Sequence, residues 1–426
     1  MKVMVVGGGG REHAIIKKLK ENKNITEIFA LPGNGGMADD ATLVNIGAKD
    51  IEKQVEFAVN NKIDYAVVAP DDPLVLGAVD ALNEAGIPCF GPLKNAAIIE
   101  GSKVFSKHLM KKYGIPTAQY EVFSDKDTAL KYLETAPIPT VIKADGLALG
   151  KGVIIAETRE QAKDAVISMM EDKVFGESGN NIVIEEFLTG PEVSVLSFTD
   201  GNTIVPMVSS MDHKRALDGD KGLNTGGMGT VAPNPYYTKE IAEACMETIF
   251  IPTINAMNSE GRTFKGCLYF GLMLTQNGPK VIEYNCRFGD PETQVVLPLL
   301  ESDLLTVMKA CTDGTLANTE VKFKEGAAAC IVMASNGYPQ KYESGFELKI
   351  DSSVKDKVYV AGAKLENSVL KTAGGRVLGV TDTASNLKAA LEKAYENTKL
   401  VSFENAYMRK DIGAKALKAL TNTEEN

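Results

Sequence analysis

Short apolar runs alternate with longer amphipathic stretches over roughly the first 95 residues. The predicted elements are strand 2–6, helix 11–21, strand 27–31, helix 50–60, strand 64–69, helix 74–85 and strand 87–89. Strands that alternate with helices in this way form βαβ units. We therefore expect a parallel sheet covered by helices in the first part of the chain.

The middle of the chain has a mixed pattern. Two helical segments come first, at 93–100 and 103–112. The later predicted elements are a strand from 119, helix 125–134, strands 140–144 and 153–156, helix 159–171, strand 181–186, strands within 192–209, helix 239–258, and strands 266–274 and 280–287. Asn277-Gly278 between the last two strands is a strong hairpin signal. This pattern predicts a small α+β lobe followed by a second, strand-rich lobe.

From about Val321 the pattern indicates short strands and one well-formed helix at 386–399. The whole chain is therefore predicted to be a multidomain protein with α/β and α+β parts. We expect an N-terminal parallel-sheet domain over 1–100, a two-lobed domain over 101–320 with its small lobe at about 119–190, and a small C-terminal α+β domain over 321–426.

Composition excludes several classes of protein. Hydrophobic residues make up 44% of the 426 residues and charged residues 24%, as in globular proteins. The net charge of −10 argues against a nucleic-acid partner. No apolar run approaches the ~18–20 residues of a membrane span, and the N-terminus lacks a signal-peptide pattern, so we expect a cytoplasmic protein. Six scattered cysteines and three histidines disfavour structural zinc and disulfide bonds.

Four glycines, Gly7 to Gly10, lie between the first strand and the first helix. They do not continue as GxGxxG, and no acidic residue ends the second strand, which disfavours NAD and FAD. Backbone N–H groups at a helix N-terminus favour an anion, so Gly9, Gly10 and the neighbouring charge of Arg11 are candidate anion contacts. The alternative is a tight turn that only packs the helix on the sheet.

Two more loops are expected at the same edge of the sheet. The loop Pro32–Gly36 contains Asn34, and the loop Pro70–Leu74 contains Asp71 and Asp72. Ligands of open α/β sheets bind outside the carboxyl ends of the strands. We therefore predict a pocket for a phosphorylated sugar at this edge.

A second glycine-rich loop, residues 143–152, lies between two strands and contains two lysines. It is not a Walker loop, because no Gly-Lys-[Ser/Thr] leads into a helix. Lys143 ends an apolar strand and would face whatever the loop covers, whereas Lys151 alone is more typical of a solvated lysine. A glycine flap with a lysine at its base suits a nucleotide triphosphate.

The strand before Phe288 carries the most specific cluster of polar residues. Period-two alternation places Glu283, Asn285 and Arg287 on one face of this strand. Carboxylate and amide oxygens suit Mg²⁺, and an arginine beside them can hold a phosphoryl or carboxylate group. The alternative is a solvent-facing edge strand, which the continuing polar run Gly289–Glu292 disfavours.

These features resemble the ATP-grasp ligases and, among them, the phosphoribosylamine–glycine ligase family. The matching segments, which run through nearly the whole chain, are 7–13, 32–36, 143–152, 185–188, 212–215, 224–229, 283–292, 374–377 and 409–413. The resemblance implies ATP-dependent joining of glycine to 5-phosphoribosylamine, a step of purine biosynthesis. It also implies Mg²⁺, or Mn²⁺ in its place, and a monomer.

The resemblance further implies roles for single residues. The residues expected at ATP are Lys103 and Lys143 near the phosphates, Glu185, Glu186 and Leu188 at the adenine hinge, and Glu192 at the ribose. The metal ligands expected are Glu283 and Asn285. The catalytic residues expected are Lys143, Arg287, His213 and Asp212. The substrate contacts expected are Gly9, Gly10, Arg11, Asn34, Asp71, Asp72, Asp212, Arg287 and Asp290.

The sequence departs from the family pattern in two places. Many ATP-grasp enzymes carry another metal carboxylate on the strand that here reads Gly271-Leu272-Met273-Leu274. The family loop Pro-Glu-x-Pro-Leu is here Pro70–Leu74, with the shorter acid Asp72 in it. The ligands of any second metal and the reach of the sugar loop are therefore open.

The chemistry expected is activation of glycine by ATP, because a free carboxylate is a poor acylating agent. Charge on the transferring phosphoryl group would be neutralised by Lys143, Arg287 and the metal. His213 is a candidate for moving the amine proton, although a histidine beside two basic residues is more often an anion contact. The polar segment 212–229 has few apolar residues, so we expect it to gain order only when it closes over ligands.

Two other functions stay open at this point. One is a different ATP-grasp ligase or carboxylase that acts on another purine intermediate. The other is an ATP-binding regulatory protein that has lost the chemistry. The intact face of Glu283, Asn285 and Arg287 favours an enzyme, since a binding module could lose it without cost.

Overall fold

The computed structural model describes residues 1–147 and 152–424. The first elements are β1 (Lys2–Gly7), α1 (Gly10–Leu19), β2 (Glu27–Pro32), β3 (Thr42–Leu43), α2 (Ile51–Asn60), β4 (Tyr65–Val68), α3 (Asp71–Leu76), α4 (Ala78–Glu84) and β5 (Cys89–Phe90). The strands pair in parallel in the order β3-β2-β1-β4-β5. The predicted N-terminal parallel sheet is therefore confirmed.

One predicted helix of this part is divided in two. The pattern predicted a single helix at 74–85, but α3 ends and α4 begins at Gly77. Gly77 has φ +96°, a left-handed conformation that glycine adopts without strain and that ends a helix. The break places Asp71 and Asp72 in the first turn of α3, directly after β4.

The small lobe of the middle part follows two connecting helices. Its elements are α5 (Lys94–Gly101), α6 (Lys103–Tyr113), β6 (Tyr120–Phe123), α7 (Lys126–Leu133), β7 (Thr140–Ala144), β8 (Val153–Ala156), α8 (Arg159–Met170) and β9 (Ile182–Glu186). The strands form an antiparallel sheet in the order β6-β9-β7-β8. Residues Ala148–Lys151 of the predicted flap, including Lys151, lie outside the described residues.

The second lobe contains a second antiparallel sheet. Its elements are β10 (Glu192–Thr199), β11 (Ile204–Pro206), β12 (Met211–Asp212), β13 (Arg215–Leu217), β14 (Lys221–Asn224), β15 (Gly229–Ala232), α9 (Lys239–Cys245), α10 (Ile251–Ser259), β16 (Gly266–Thr275), β17 (Gly278–Asn285), α11 (Thr293–Leu299) and α12 (Leu304–Asp313). The sheet has the order β11-β10-β16-β17. The predicted hairpin at Asn277-Gly278 is confirmed as the link between β16 and β17.

The long helix predicted at 239–258 contains a wider turn. A π-helical segment, Met246–Phe250, joins α9 to α10. Pro252 follows it, and proline has no backbone N–H to donate to the preceding turn. The π-helical turn therefore accommodates a proline that a regular α-helix would not.

The C-terminal part is built on an antiparallel sheet in which two nine-residue strands are accompanied by shorter ones. Its elements are β18 (Ala327–Ser335), β19 (Lys349–Ile350), β20 (Val358–Val360), β21 (Ala363–Glu366), β22 (Val369–Thr372), β23 (Arg376–Ala384), α13 (Leu387–Thr398), β24 (Val401–Ser402), β25 (Ala406–Tyr407) and α14 (Ala414–Glu424). The main sheet has the order β12-β15-β18-β23-β20, and β25 also pairs with β18. The predicted C-terminal α+β part is confirmed.

This main sheet crosses the expected domain boundary near residue 320. Strands β12 and β15 come from the middle of the chain, yet β15 pairs antiparallel with β18 of the C-terminal part. The segment between them is thus attached to the C-terminal sheet. The division into 1–100, 101–320 and 321–426 stays a prediction.

The end of β17 is fixed by aromatic packing beneath it. The ring of Phe288 is 1% exposed and lies 6.0 Å from the rings of both Phe90 and Phe198. Tyr284 and Cys286 are buried on the same side of the strand. Glu283, Asn285 and Arg287 therefore share the less buried side, as alternation predicts.

No helix in residues 1–147 and 152–424 is long and apolar enough to cross a membrane.

Candidate active site

Lys143 lies at the end of β7 and is held from two sides. Its Nζ is 3.1 Å from Glu185 Oε1 on the neighbouring strand β9 and donates to the carbonyl of Ile282 at 3.0 Å. The side chain is 5% exposed. The pairing between strands thus brings this lysine against β17, the strand that carries Glu283.

Lys103 is the first residue of α6, a helix capped by the hydroxyl of Ser102. Its Nζ donates to the carbonyl of Gly146 in the flap at 2.6 Å. Asp145 accepts hydrogen bonds from the backbone N–H of Val104 at 3.2 Å and of Gly146 at 3.1 Å. The base of the flap is therefore fixed to the N-terminus of α6, which keeps two lysines close together.

Glu283 lies among positive charges that are paired with other acids. Burial acts to raise the pKa of Glu283, but four nearby cations lower it overall: Lys214, Lys143, Lys103 and Arg287. Three of these cations form ion pairs with other carboxylates, namely Lys143 with Glu185 at 3.1 Å, Lys214 with Glu192 at 3.1 Å and Arg287 with Glu100 at 3.0 Å. An ionised carboxylate in this position is suited to bind a metal ion.

Asn285 lies two residues after Glu283 on the same half-buried face of β17. The two side chains offer the oxygen ligands that Mg²⁺ prefers. Among the described residues no three His, Cys, Asp or Glu side chains converge as a complete metal cage. A metal held here would therefore take its other ligands from substrate phosphates, as Mg²⁺ commonly does.

The side chains of the expected adenine hinge are engaged within the protein. The Glu185 carboxylate pairs with Lys143 and Lys107, and it is 4% exposed. Glu186 accepts from Lys280 at 2.8 Å and from the backbone N–H of Gln119 at 3.0 Å. Hinge contacts to a nucleotide would therefore come from the backbone of residues 186–188, where Leu188 is half-buried.

Arg287 joins the metal face to the N-terminal sheet. Its guanidinium lies 3.0 Å from Glu100 Oε1, and Glu100 also accepts from the backbone N–H of Cys286 at 2.7 Å. Burial acts to raise the pKa of Asp71, but the charges of Arg287 and Arg11 lower it overall. Asp71 and Arg287 are therefore close enough to interact electrostatically, while their role as substrate contacts stays a prediction.

The glycine run Gly7–Gly10 has a structural role that the sequence pattern did not indicate. The N–H of Gly9 donates to Glu12 Oε2 at 2.6 Å, so the side chain of Glu12 satisfies a free backbone N–H at the start of α1. Glu12 also accepts from Arg11 Nε at 2.6 Å, and Arg11 donates to the carbonyl of Phe288 at 3.1 Å. An anion at this helix N-terminus would have to compete with Glu12, and the Arg11 charge is already paired.

Gly10 lies at a close contact between two helices. A side chain on it would meet Gln294 Nε2 at 2.7 Å, because α1 packs against α11. This observation supports the alternative in which the glycines pack the helix. The assignment of Gly9 and Gly10 to a substrate stays a prediction.

Two of the predicted sugar contacts are also engaged within the protein. Asn34 donates to the carbonyls of Gly8 at 2.9 Å and Val360 at 2.8 Å, and it accepts from the N–H of Gly36 at 2.8 Å. Asp72 pairs with Lys49 at 2.7 Å. Asn34 thus links the first two loops to the C-terminal sheet, while Asp72, unlike Asp71, has a surface lysine as its partner.

A cavity of about 400 Å³ lies between these loops and the C-terminal part. Its walls include Gly8 and Gly33 on one side and residues 361–365 on the other. Lys364 is a charged residue of this lining. A cleft thus lies at the sheet edge where the sequence predicts a pocket, and that it takes a phosphorylated sugar stays a prediction.

Asp212 and Asp290 lie on the side of the site that faces the C-terminal sheet. Burial and the neighbouring carboxylate of Glu292 raise the pKa of Asp212 well above its usual value. Burial acts to raise the pKa of Asp290, but Arg376 and Arg11 lower it overall. Asp290 is therefore ionised, whereas Asp212 retains a proton more readily.

His213 has a structural position. The ring is 4% exposed, Nδ1 lies 3.0 Å from the carbonyl of Gly229, and Nε2 accepts from the N–H of Gly413 at 3.0 Å. Burial is the main cause that lowers the pKa of His213 to about 4. Both nitrogens are used, so the structure does not support the predicted proton-transfer role, and we assign none.

The segment 212–229 is anchored to the C-terminal part by several polar contacts. Asp411 accepts from the N–H of Gly219 at 2.8 Å, and Arg409 lies 2.9 Å from Asp220. Strands β13 and β14 form a hairpin. These contacts involve no ligand and count against the expectation that the segment gains order only when it closes over ligands, which stays a prediction. Its partners come from residues about 190 positions later, which a local pattern does not reveal.

Two polar residues of the site, Glu100 and Lys107, were not singled out from the sequence. Lys107 lies on a helix without a motif, and Glu100 lies at the end of α5. Three others, Lys214, Glu292 and Arg376, lie in the matching segments 212–215, 283–292 and 374–377 but were given no role at the site by the resemblance.

Comparison with known proteins agrees with this geometry. The sequence matches the profiles of phosphoribosylglycinamide synthetase in all three parts: the N domain over residues 1–100, the ATP-grasp (A) domain over 101–293 and the C domain over 328–415. ATP-grasp ligases use ATP and divalent metals.

Curated relatives and solved structures extend over almost the whole chain. Phosphoribosylamine–glycine ligase of Caldanaerobacter subterraneus is 46% identical over 97% of this chain and 100% of its own. That of Streptococcus pneumoniae is 47% identical over 98% and 100%. A biotin carboxylase from Campylobacter jejuni shares the fold alone, with a TM-score of 0.74, 13% identity, and coverage of 96% of this chain and 92% of its own.

The Thermotoga maritima phosphoribosylamine–glycine ligase crystal structure superposes with a TM-score of 0.86 at 33% identity, and covers 97% of this chain and 100% of its own. Its similarity includes all three parts of the chain. With the domain matches and the relatives at 46% identity, this agreement shows that the chain belongs to the phosphoribosylamine–glycine ligase family.

Proposed function

We propose that this protein joins glycine to 5-phosphoribosylamine with ATP, giving glycinamide ribonucleotide, ADP and phosphate in purine biosynthesis. The observation that carries the proposal is the face of β17, where Glu283, Asn285 and Arg287 lie among the lysines of an ATP-grasp site. Relatives that share 46% of residues over 97% of the chain bear the name of this activity.

The nucleotide binds between the two lobes in this proposal. Lys103 and Lys143 contact the phosphates, the backbone of 186–188 holds the adenine, and Glu192 holds the ribose. Glu283 and Asn285 bind Mg²⁺, or Mn²⁺ in its place. The ion supplies positive charge at the transferring phosphoryl group.

Glycine is activated before it is joined. Its carboxylate attacks the γ-phosphorus of ATP, the bond to the β–γ bridging oxygen breaks, and ADP leaves. Arg287 and Lys143 neutralise the charge that builds on the phosphoryl oxygens. The product of this step is glycyl phosphate, a mixed anhydride that water would hydrolyse, so the lobes must exclude water.

The phosphosugar binds in the cleft between the N-terminal loops and residues 361–365, where glycine backbone and Lys364 suit a phosphate. The amine attacks the glycyl carbonyl carbon and inorganic phosphate leaves. The ionised form of Asp212 accepts the amine proton in this proposal, since a raised pKa makes a carboxylate a stronger base. The other proposed substrate contacts are Gly9, Gly10, Arg11, Asn34, Asp71, Asp72 and Asp290.

A reconstituted reaction tests the proposal. The purified protein is incubated with ATP, Mg²⁺ and phosphoribosylamine generated in situ, with and without glycine. We expect ADP and glycinamide ribonucleotide only when glycine is present. Formation of AMP and pyrophosphate would indicate adenylate chemistry and contradict the proposal.

We also propose a monomer in the cytoplasm that has no nucleic-acid or membrane partner. The net charge of −10 supports the absence of a nucleic-acid partner. Light scattering of the purified protein gives the mass directly, and a dimer would contradict this part.

A further inference from the structure

Two buried lysines share one carboxylate beneath the proposed phosphate site. Glu185 Oε1 lies 3.2 Å from Lys107 Nζ and 3.1 Å from Lys143 Nζ. All three side chains are less than 6% exposed. The angles at this oxygen fall outside hydrogen-bond geometry, so the two contacts are ion pairs. The cluster carries two positive charges and one negative charge.

The two lysines differ in their partners. Lys107 faces three partners: Glu185, the hydroxyl of Thr117 at 2.7 Å and the ring of Tyr120, whose centroid is 5.5 Å away. Lys143 faces two, the ion pair with Glu185 and the carbonyl of Ile282. It donates one of its three N–H groups to that carbonyl, so donors remain for a ligand.

Lys107 therefore acts on a ligand through Glu185. While both lysines are charged, the Glu185 charge is divided between them. Without the Lys107 charge, Glu185 would pair with Lys143 alone, and the net charge of the cluster would fall from +1 to zero. Coulomb attraction between buried groups is strong enough for this change to be felt at a phosphate.

We propose that Lys107 is a positioning residue that shares the Glu185 charge, so that the cluster keeps a net positive charge and Lys143 stays directed toward the phosphates of a nucleoside triphosphate. This inference rests on the proposed function only in placing Lys143 at the phosphates. It assigns the Glu185 carboxylate to the lysines, whereas the resemblance had placed this residue at the adenine.

Direct nucleotide binding tests the inference without turnover. Dissociation constants for ATP and AMP are measured by calorimetry for the wild type and Lys107→Met. We expect ATP to bind about tenfold more weakly, which corresponds to about 1.4 kcal/mol, and AMP to bind with unchanged affinity. A merely structural role would weaken both nucleotides, because it would deform the shared pocket.

Two further variants test whether the loss of ATP affinity is caused by the lost charge of Lys107. Lys107→Gln can still donate to Thr117 and is expected to lose ATP affinity as Lys107→Met does. The double variant Lys107→Met/Glu185→Gln removes one charge of each sign and is expected to restore ATP affinity to within threefold. The double variant has no carboxylate at position 185 that could lose its lysine partner. It therefore also tests the inference if Lys107→Met alone does not fold.

Lys111→Met is the matched control. Lys111 lies one turn further along α6, is exposed, and faces the same Tyr120 ring at 5.8 Å. It is expected to bind both nucleotides as the wild type does. Equal loss of ATP and AMP in Lys107→Met, unchanged ATP affinity, or failure of the double variant to recover would each overturn the inference. Loss of ATP affinity in a protein that lacks ligase activity would uphold it and contradict the proposed function instead.

Discussion

Arg376 of the C-terminal sheet holds Asp290 of the loop after β17 by two contacts. Its Nη1 lies 3.3 Å from Asp290 Oδ1 and donates to the Asp290 carbonyl at 2.9 Å. The same nitrogen donates to the carbonyl of Gly226 at 2.7 Å. One side chain of the C-terminal part thus fixes two loops that border the candidate active site.

Replacing Arg376 by lysine is expected to lower turnover by roughly 10- to 100-fold. A lysine keeps the charge but cannot reproduce the planar guanidinium that reaches both loops. Steady-state kinetics with saturating ATP measure the loss. The control is Arg262→Lys, because Arg262 also donates to a backbone carbonyl, that of Asn95, in the loop after α10. Equal turnover of the Arg376 variant and the control would contradict a positioning role.

Glu283→Gln is expected to keep the fold and lose about a thousandfold or more of the turnover. The substitution preserves shape but removes the charge that would bind the metal, an effect of several kcal/mol. Turnover is measured over a range of Mg²⁺ concentrations, with the exposed Glu301→Gln as control. Near-normal turnover at saturating Mg²⁺ would show that the metal binds elsewhere.

Local patterns predicted the parts of the site that follow one element at a time. Alternation was enough to place Glu283 and Arg287 on one face of β17, because that periodicity is a property of the strand. The strand and helix order was enough for the parallel sheet. Gly77 divides one predicted helix in two, and Pro252 follows a π-helical turn in another. Neither feature can be recognised from the amphipathic pattern.

The rest of the site depends on contacts between residues that are far apart in the sequence. Nothing near Arg11 in the sequence indicated that it bonds to the carbonyl of Phe288, and nothing near His213 indicated Gly413. Lys107 and Glu185 are 78 positions apart and meet only because α6 packs on the sheet that contains β9. The roles of individual charged residues therefore needed the three-dimensional arrangement.

His213→Gln is expected to reduce the acid sensitivity of the fold. In the unfolded chain a histidine binds its proton near pH 6.5, whereas in the fold the pKa is about 4. Stability is therefore lost as pH falls through 6.5, by roughly 2 kcal/mol at pH 5. Urea unfolding at pH 7.5 and 5 measures this loss.

His13 provides an internal control, since burial also lowers its pKa and it is present in both proteins. The wild type should lose more stability than the variant between the two pH values. Equal losses would show that His213 is not buried in its neutral form.

Arg409→Met is expected to release the β13–β14 hairpin. Arg409 is 1% exposed, pairs with Asp220 and Asp411, and donates to the carbonyl of Arg215 at 3.0 Å. Trypsin should cut at Lys214, Arg215 or Lys221 several-fold faster in the variant. Lys410→Met, at the exposed neighbouring position, is the control. An unchanged cutting rate in the Arg409 variant would mean that other contacts hold the hairpin.

The central claim is that this site converts glycine to glycyl phosphate before the nitrogen bond forms. Glycine labelled with ¹⁸O in its carboxylate tests it most directly, because one carboxylate oxygen must leave as part of the phosphate. The account predicts one ¹⁸O atom in each inorganic phosphate released, measured by mass spectrometry during turnover with phosphoribosylamine. Unlabelled phosphate, or label recovered in AMP, would contradict it.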